Sequence, residues 1–430
     1  MSLRQPDAAR RTRGRVAAAA LLATVLVAAC SDSNDAAPAA TDPATSTTEG
    51  RVDDGALVIG AVLPTVGPAS EIGVSMTTAL TVGVTEINQA GGVGGRPVRL
   101  VLREEGDNSA TAVLAVQSLL QARVDAIIGP TSSLDLLATL GEAVDNGVLT
   151  CAPTASALAL DSYPDNGLFF RTVPSDSLQA SAMARLVETS GSSTAAVVYL
   201  DDAYGRPFAE ATRSAITGEG TAVSAFVGFT AGDTSITEAV DEIVAARPDV
   251  IAVVADATTG PAIIAAIDAA SNQSITFVVN DAVRRPAASA QPFDADLSSR
   301  VVGASPLAHA NSVSFLEALT EEDPDSTGLF AHNAYDCLAI IALAAQAAGS
   351  GVPAEMALEI PAATSSGTRC FTYAECSTAL AEGRNINYDG PGGNLAINPS
   401  GEMTSAVFER FTFDENSRDV STGTLRIGDG

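Results

Sequence analysis

Short apolar segments rich in β-branched residues alternate along the chain with longer segments whose apolar residues recur at helical spacing. The apolar run 124–128 ends at Gly129 and Pro130, which is typical of a buried parallel strand. A helix is expected next, because apolar residues then recur three or four positions apart, at Leu137, Leu140 and Val144. Another strand is expected from 148, after the turn at Asn146-Gly147.

The same alternation covers two parts of the chain. In the first part we expect strands at 57–64 and 98–103 and helices ending near 87 and covering 109–120. In the second part we expect strands at 195–200, 222–229, 249–255 and 275–279, and helices at 205–217, 234–246 and 260–271. Two successive series of alternating strands and helices predict an α/β fold of two doubly wound parallel-sheet lobes.

The pattern changes beyond Val301. Helices are expected at 311–320 and 330–348, and the second of these is almost wholly apolar and is therefore expected to be buried. A turn-rich segment follows at 387–393, and 407–413 alternates as a late strand.

The first 29 residues have the features of an export signal. Basic residues precede an apolar segment at 16–29, which is short for a membrane span. The segment ends in Val-Ala-Ala before Cys30, which favours a bacterial lipoprotein signal with Cys30 as the lipidated residue; an ordinary signal peptide or an uncleaved anchor are the alternatives. We expect 30–55, which is poor in large apolar residues, to be a disordered tether.

Composition narrows the possible functions. The 430-residue chain has a formal net charge of −28, which argues against binding nucleic acid. Its 23 basic residues are all arginines, so no lysine is present as a nucleophile or in a phosphate-binding loop. The two histidines, His309 and His332, lie in no motif that pairs them with a nucleophile, and no spacing typical of a metal or cofactor site occurs. We therefore expect a binding protein without a cofactor rather than an enzyme.

A candidate binding site lies at the start of the helix that follows 124–128. The N–H groups and serine hydroxyls of a helix N-terminus at the carboxyl end of a strand suit a carboxylate ligand. Ser132 and Asp135 also have the spacing of a capping box, and a cap without a ligand is the simpler interpretation of this segment alone.

Seven motifs in order resemble the leucine/isoleucine/valine-binding family of ABC-transporter solute-binding proteins, which have the type I periplasmic-binding fold. They are IGAVLPTVGP at 59–68, EINQAGGVGGRPVRLV at 86–101, IIGPTSS at 127–133, FRTVPSD at 170–176, DDAYGR at 201–206, NAYDCLAIIALA at 333–344 and INYDGPGGNLAINPSGE at 386–402. The resemblance covers roughly residues 56–415. It implies two lobes joined by three crossing strands, near 171–175, 303–306 and 384–390, that close on a ligand by hinge motion.

The resemblance also implies the lobe boundaries. The first lobe is expected to comprise 56–173 with 305–384, and the second 174–304 with 385–425. The implied function is that of an extracytoplasmic lipoprotein, a monomer held to the membrane only through its lipid, which captures an amino-acid-like ligand and delivers it to ABC permease subunits. A sensing receptor, or a ligand such as an amide, urea or an aromatic acid, is the alternative.

Site residues follow from the same resemblance. In the first lobe, the hydroxyls of Ser133 and Ser156 are expected to hold the ligand carboxylate and the carbonyl of Thr154 its ammonium group. Ile72 stands where the family often has a bulky aromatic residue. The second lobe is expected to contribute three further residues, namely Tyr204, Asp256 and Asp281. Tyr204 as a surface residue and Asp281 as a turn or cap residue are the alternatives.

Four cysteines remain after Cys30. Cys370 and Cys376 are expected to form a disulfide, because the compartment outside the membrane is oxidising and the two lie six residues apart in a polar region. Cys151 and Cys337 are either a second pair or buried free thiols.

Overall fold

A computed structural model of the chain describes residues 52–67, 69–284, 293–310, 312–414, 416 and 418–428. The expected signal segment, Cys30 and the expected tether up to residue 51 lie outside these ranges.

The first lobe is built on five parallel strands in the order β2-β1-β3-β4-β5. They are β1 (Val58–Leu63), β2 (Arg99–Glu104), β3 (Ala126–Ile128), β4 (Leu149–Ala152) and β5 (Phe169–Arg171). The helices between them are α1 (Ser70–Gln89), α2 (Ser109–Gln121) and α3 (Ser133–Asp145). All six residues of β1 are buried, as a strand covered on both faces by helices requires.

The second lobe is built on a seven-stranded sheet, of which five strands are parallel. In the order β7-β6-β8-β9-β10 these are β7 (Ala222–Phe229), β6 (Thr194–Leu200), β8 (Val250–Val254), β9 (Thr276–Val279) and β10 (Val301–Pro306). The accompanying helices are α4 (Asp176–Thr189), α5 (Gly205–Gly218), α6 (Asp233–Ala246), α7 (Thr259–Ala270) and α8 (Ala295–Ser299).

The chain after β10 contributes to both lobes. Helices α9 (Val313–Glu322), α10 (Ala331–Ala348), α11 (Pro353–Ser365) and α12 (Tyr373–Ala381) precede a small sheet of β11 (Thr368–Cys370), β12 (Ile386–Gly390) and β13 (Gly393–Asn394). Two last strands, β14 (Ser405–Phe413) and β15 (Asp419–Gly428), extend the second sheet beyond β10 as antiparallel strands. The second sheet is therefore mixed rather than wholly parallel as expected.

Three segments connect the lobes, after β5, after β10 and between β13 and β14. The third lies later in the chain than the expected crossing near 384–390. Ile386 and Tyr388 on β12 are fully buried in the core of the first lobe, and β12 pairs with β11 there. The expected lobe boundary at residue 385 thus differs from the packing, because these apolar residues bury their side chains in the first lobe.

Helix α10 forms the centre of the first lobe's core. Its residues from Ala331 to Ala345 are all buried, as its apolar sequence predicts. Disulfide bonds join Cys337 on this helix to Cys151 on β4, and Cys370 to Cys376, with Cα separations of 5.8 and 5.3 Å.

In the described part of the chain no single helix is long and apolar enough to cross a membrane. Helices α10 and α11 reach the required length and apolar character only when taken together, and a bend of 105° separates them.

Candidate functional site

A cavity of about 280 Å³ lies between the lobes. The loops after β1, β3 and β4 border it on one side and the loop after β9 on the other, in agreement with the rule that open α/β sheets bind ligands at the carboxyl ends of their strands. Its walls are formed by Ala69, Ile72, Thr131, Ser132, Thr154, Ser156, Val173, Asp281, Pro306 and Phe330. Four of the expected site residues, Ile72, Thr154, Ser156 and Asp281, are therefore brought together here, and we call this space the cleft cavity.

Side-chain hydrogen bonds hold the two first-lobe loops against each other. Thr154 Oγ1 donates to the carbonyl of Thr131 at 3.0 Å. Ser133 Oγ accepts the N–H groups of Ser156 and Ala157 at 3.1 and 3.2 Å. Ser133 is absent from the cavity wall, so its contacts in the structure position the loop that carries Ser156.

Glu105 is a buried acid at this site that the sequence analysis did not single out. It is 2% exposed and accepts the N–H groups of Thr131 and Ser132 at 2.9 and 3.1 Å, together with the Thr131 hydroxyl at 2.7 Å. Burial raises the pKa of Glu105, although these hydrogen bonds oppose the shift. The Glu105 carboxylate thus uses two N–H groups near the start of α3 that were expected to face a ligand, and it fixes the loop instead.

The second-lobe side of the cleft cavity is acidic. Asp281 follows β9 and lines the cavity, and its Oδ1 accepts a hydrogen bond from Gln179 Nε2 at 2.7 Å. Burial raises the pKa of the Asp281 carboxyl. Asp176, at the start of α4, is 1% exposed, and neither of its carboxylate oxygens has a hydrogen-bond partner within the described residues.

The charge of Asp281 affects the ionisation of Asp176. Burial, reinforced by the charge of Asp281, raises the pKa of Asp176 to about 7, while the charge of Arg171 acts in the opposite direction. Burial raises the pKa of Tyr204 as well, and the charges of Asp176 and Asp281 add to that shift. Tyr204 therefore lies beside the acidic pair and Ser156, although it is outside the cavity wall.

Asp256 lies apart from this group. It is exposed, and its Oδ1 accepts the N–H groups of Thr258 and Thr259, both at 2.7 Å, at the start of α7. The expected ligand-binding role of Asp256 is thus not supported by its position, because its carboxylate caps a helix.

Comparison with known proteins identifies the family. The profile of a periplasmic binding protein family matches residues 56–408. The chain belongs to this family. Its members are binding proteins that act outside the cytoplasm, so the expected function class and resemblance are confirmed.

Two curated relatives span most of this binding protein. A chemotactic signal transduction system substrate-binding protein, BasB, from Halobacterium salinarum is 27% identical over 381 residues, covering 83% of this chain and 87% of the relative. The leucine-, isoleucine-, valine-, threonine- and alanine-binding protein of Pseudomonas aeruginosa is 21% identical over 373 residues, covering 82% and 89%.

Solved structures confirm the expected fold. The branched-chain amino acid transporter substrate-binding protein LivJ from Streptococcus pneumoniae, in complex with isoleucine, has a TM-score of 0.64 at 18% identity, covering 87% of this chain and 100% of that one. A solute-binding protein of an R. palustris ABC transporter, in complex with benzoate, has a TM-score of 0.63 at 19% identity, covering 87% and 98%.

Three buried polar residues beside the cleft cavity, Glu105, Asp176 and Gln179, were not predicted from the sequence. Asp176 lies within the FRTVPSD motif and Gln179 three residues later, on the helix that follows the first crossing. Glu105 directly follows the strand β2. Polar residues after a strand or crossing were thus the available signal, but their burial became visible only in the folded chain.

Proposed function

We propose that this protein captures a small zwitterion, an amino acid with an apolar or short polar side chain, in the cleft cavity and delivers it to the permease subunits of an ABC importer. The observation that carries the proposal is a pair of neighbouring carboxyl groups opposite the hydroxyl-bearing loops of the first lobe, namely the half-buried Asp281 in the cavity wall and the buried Asp176 behind it.

The acidic pair favours a ligand that carries an ammonium group. Two ionised carboxylates that are buried next to each other are unfavourable unless a cation compensates them. An ammonium group between the lobes supplies that charge and hydrogen-bond donors for Asp281 and for the carbonyl of Thr154. The same ligand then holds the two lobes together.

The first lobe provides contacts for the ligand's carboxylate and for its side chain. The Ser156 hydroxyl lines the cleft cavity and is a donor, and the N-terminal dipole of α3 points toward the same space and favours negative charge. Ile72, Val173 and Phe330 supply an apolar wall. A cavity of about 280 Å³ restricts the ligand to a small molecule. The names of the Pseudomonas relative and of LivJ support an amino acid.

A thermal-shift screen of amino acids, small amides, urea and aromatic acids tests the proposal, followed by calorimetry with the best ligand. We expect the largest shift with an amino acid and 1:1 binding. A best ligand that lacks an ammonium group contradicts the assignment of Asp176 and Asp281 while leaving the family membership unaffected.

A second candidate function is sensing. The Halobacterium relative is named as part of a chemotactic system, so the same ligand capture is compatible with delivery to a receptor instead of a permease. Uptake of the labelled ligand by cells that lack this protein separates the two. Loss of uptake supports import, whereas unchanged uptake with a lost behavioural response supports sensing.

We also propose that the mature protein starts at a lipidated Cys30 and is held at the outer face of the cell membrane by that lipid. The support is the signal-like segment at 1–29 and the polar composition of 30–55. The protein is proposed to act as a monomer without a cofactor, and without catalysis, since ligand capture accounts for its buried acids.

A further inference from the structure

A second cavity, of about 410 Å³, lies at the segments that connect the lobes, and we call it the hinge cavity. Residues of the first two connecting segments, of β11 and β12, and of β14 and β15 line it. Val173 faces the cleft cavity, whereas its neighbours Thr172 and Pro174 line the hinge cavity. The first connecting segment therefore separates the two spaces.

The wall of the hinge cavity has an excess of positive charge in a strongly acidic protein. Arg369, Arg426 and Asp389 line it, although the chain as a whole has a net charge of −28. Arg369 forms an ion pair with Asp389, which neutralises that arginine, whereas Arg426 has no ion pair within the described residues and supplies the excess charge. The N-terminus of the 18-residue helix α10 also borders the cavity, and no side chain caps it. Its dipole adds to the positive potential.

Two buried side chains in the first turn of α10 each have one polar atom without a hydrogen-bond partner, although Asn333 Nδ2 donates to the carbonyl of Thr172 at 3.0 Å. His332 and Asn333 line the cavity and are 4% and 3% exposed, and His332 Nδ1 and Asn333 Oδ1 have no partner within the described residues. Burial lowers the pKa of His332 to about 4, so its imidazole is neutral and has one N–H to donate. Buried polar atoms without partners are rare in native proteins, and a bound molecule is one of the things that satisfies them.

The remaining wall is apolar. Phe371 is 53% exposed and lies beside Arg369, whose guanidinium carbon is 5.5 Å from the ring centroid. Leu307, Leu395 and Val407 extend the apolar surface. A pocket with an apolar wall and a few convergent polar groups is the usual form of a small-molecule site.

We propose that the hinge cavity is a second binding site, which takes a small organic anion with one carboxylate and an apolar or aromatic body. The carboxylate pairs with the Arg426 guanidinium and accepts the His332 N–H, and the body packs on Phe371 and Val407. Ligands with an ammonium group are disfavoured, because it would face Arg369 and Arg426. This site uses none of the side chains assigned to the cleft cavity ligand.

Calorimetry with benzoate as the probe and benzylamine as its cationic counterpart tests the proposal on the purified protein. Arg426→Gln is expected to weaken benzoate binding at least about 10-fold, since a charged hydrogen-bonded pair is lost. Arg410→Gln is the matched control, because Arg410 is an exposed arginine on the neighbouring strand β14 and lies outside the cavity. Benzylamine is expected not to bind in the hinge cavity.

A substitution in the cleft cavity distinguishes binding at the two sites. Asp281→Asn is expected to leave benzoate affinity within about 2-fold of the parent, since Asp281 lines the other cavity. Crystals soaked with 4-bromobenzoate then locate the probe through the anomalous signal of bromine. A peak beside Arg426 supports the proposal. A peak in the cleft cavity alone, no peak, or equal affinity in Arg426→Gln and the parent overturns it, even if an amino acid still binds in the cleft.

Discussion

The side-chain amide of Gln179 donates to Asp281 Oδ1 at 2.7 Å and to the carbonyl of Ala304 at 2.8 Å. Gln179 is on α4, Asp281 follows β9 and Ala304 is on β10, so one buried amide ties three parts of the second lobe together at the cleft. This hydrogen bond lowers the pKa of the Asp281 carboxyl against the opposite effect of its burial. Gln179 is therefore expected to be a positioning residue for ligand binding.

Gln179→Leu is expected to weaken ligand binding at least about 10-fold, because Asp281 loses a donor that stabilises its ionised form. Calorimetry with the best ligand measures the change. Gln117→Leu is a suitable control, since Gln117 also donates to a carboxylate, Glu142 at 3.2 Å, but between α2 and α3. Equal losses in both variants would indicate a general effect on stability.

Asp281→Asn and Asp256→Asn form a matched pair of substitutions. Both aspartates follow strands of the second sheet, but only Asp281 lines the cleft cavity, whereas Asp256 is exposed and caps α7. Asp281→Asn is expected to cost about 2–4 kcal/mol of binding free energy, since a buried ammonium loses its charged partner. Asp256→Asn is expected to change the affinity less than about 2-fold, because its carboxylate is solvated. Calorimetry measures both affinities. A larger loss of affinity in Asp256→Asn than in Asp281→Asn would show that Asp256 contributes to ligand binding.

The strands and helices of the second lobe were predictable because their signals are local. The expected strand at 222–229 coincides with β7, and the expected helix at 205–217 ends one residue before α5 does. The pairing of β12 with β11 was not predictable in this way. The family resemblance implied a crossing strand near 384–390, whereas the burial of Ile386 and Tyr388 depends on packing in a core that includes α1 and α10, which lie earlier in the chain.

The site was predictable only in part, for a similar reason. Asp256 and Asp281 are equivalent in sequence, as aspartates directly after apolar strands. Their different environments depend on a local helix start for Asp256 and on Gln179, 102 residues away, for Asp281. Motif order therefore located the loops of the site, while the direction of each side chain followed from packing between segments that are remote in the chain.

The two cysteine pairs are expected to differ in their effect on stability. Cys151 and Cys337 are 186 residues apart and Cys370 and Cys376 only 6, so loop entropy predicts stabilisation by about 5 and about 2 kcal/mol, respectively. The doubly substituted variants Cys151→Ala/Cys337→Ala and Cys370→Ala/Cys376→Ala are compared by urea unfolding. Peptide mapping without reduction checks that both bonds form. Alkylation of any of the four thiols in the unreduced protein contradicts that pairing.

Cys30→Ala is expected to release the protein from membranes into the soluble fraction. Two acyl chains on Cys30 are enough for stable anchoring, and the acidic chain has no charge attraction to anionic lipids. Fractionation in high salt, with the parent protein as the control, measures the release. A Cys30→Ala variant that still sediments with membranes in high salt shows that another segment anchors it.

Asp176 is expected to make ligand binding depend on pH. Its pKa in the folded protein is about 7, above the ordinary value of 3.8, so the ligand-free protein keeps a proton there that the unfolded chain releases. The contribution of Asp176 to stability therefore falls as the pH rises from about 4 to about 7. An ammonium ligand needs the ionised form, so its affinity is expected to rise with pH, by up to about 10-fold per unit below pH 7.

Asp176→Asn separates these two effects, because it removes the titrating group and leaves a side chain of similar shape. At pH 8 the ligand-free variant is expected to be more stable than the parent, by up to about 4 kcal/mol for a pKa raised from 3.8 to about 7, and the gain should vanish near pH 4. Its ligand affinity is expected to be lower at pH 8 and nearly independent of pH. Thermal unfolding and calorimetry between pH 4 and pH 8 measure both, with Asp256→Asn as the exposed control. A variant that follows the parent's pH dependence would assign the titration to another group, and Asp281, whose pKa burial also raises, would be the next to substitute.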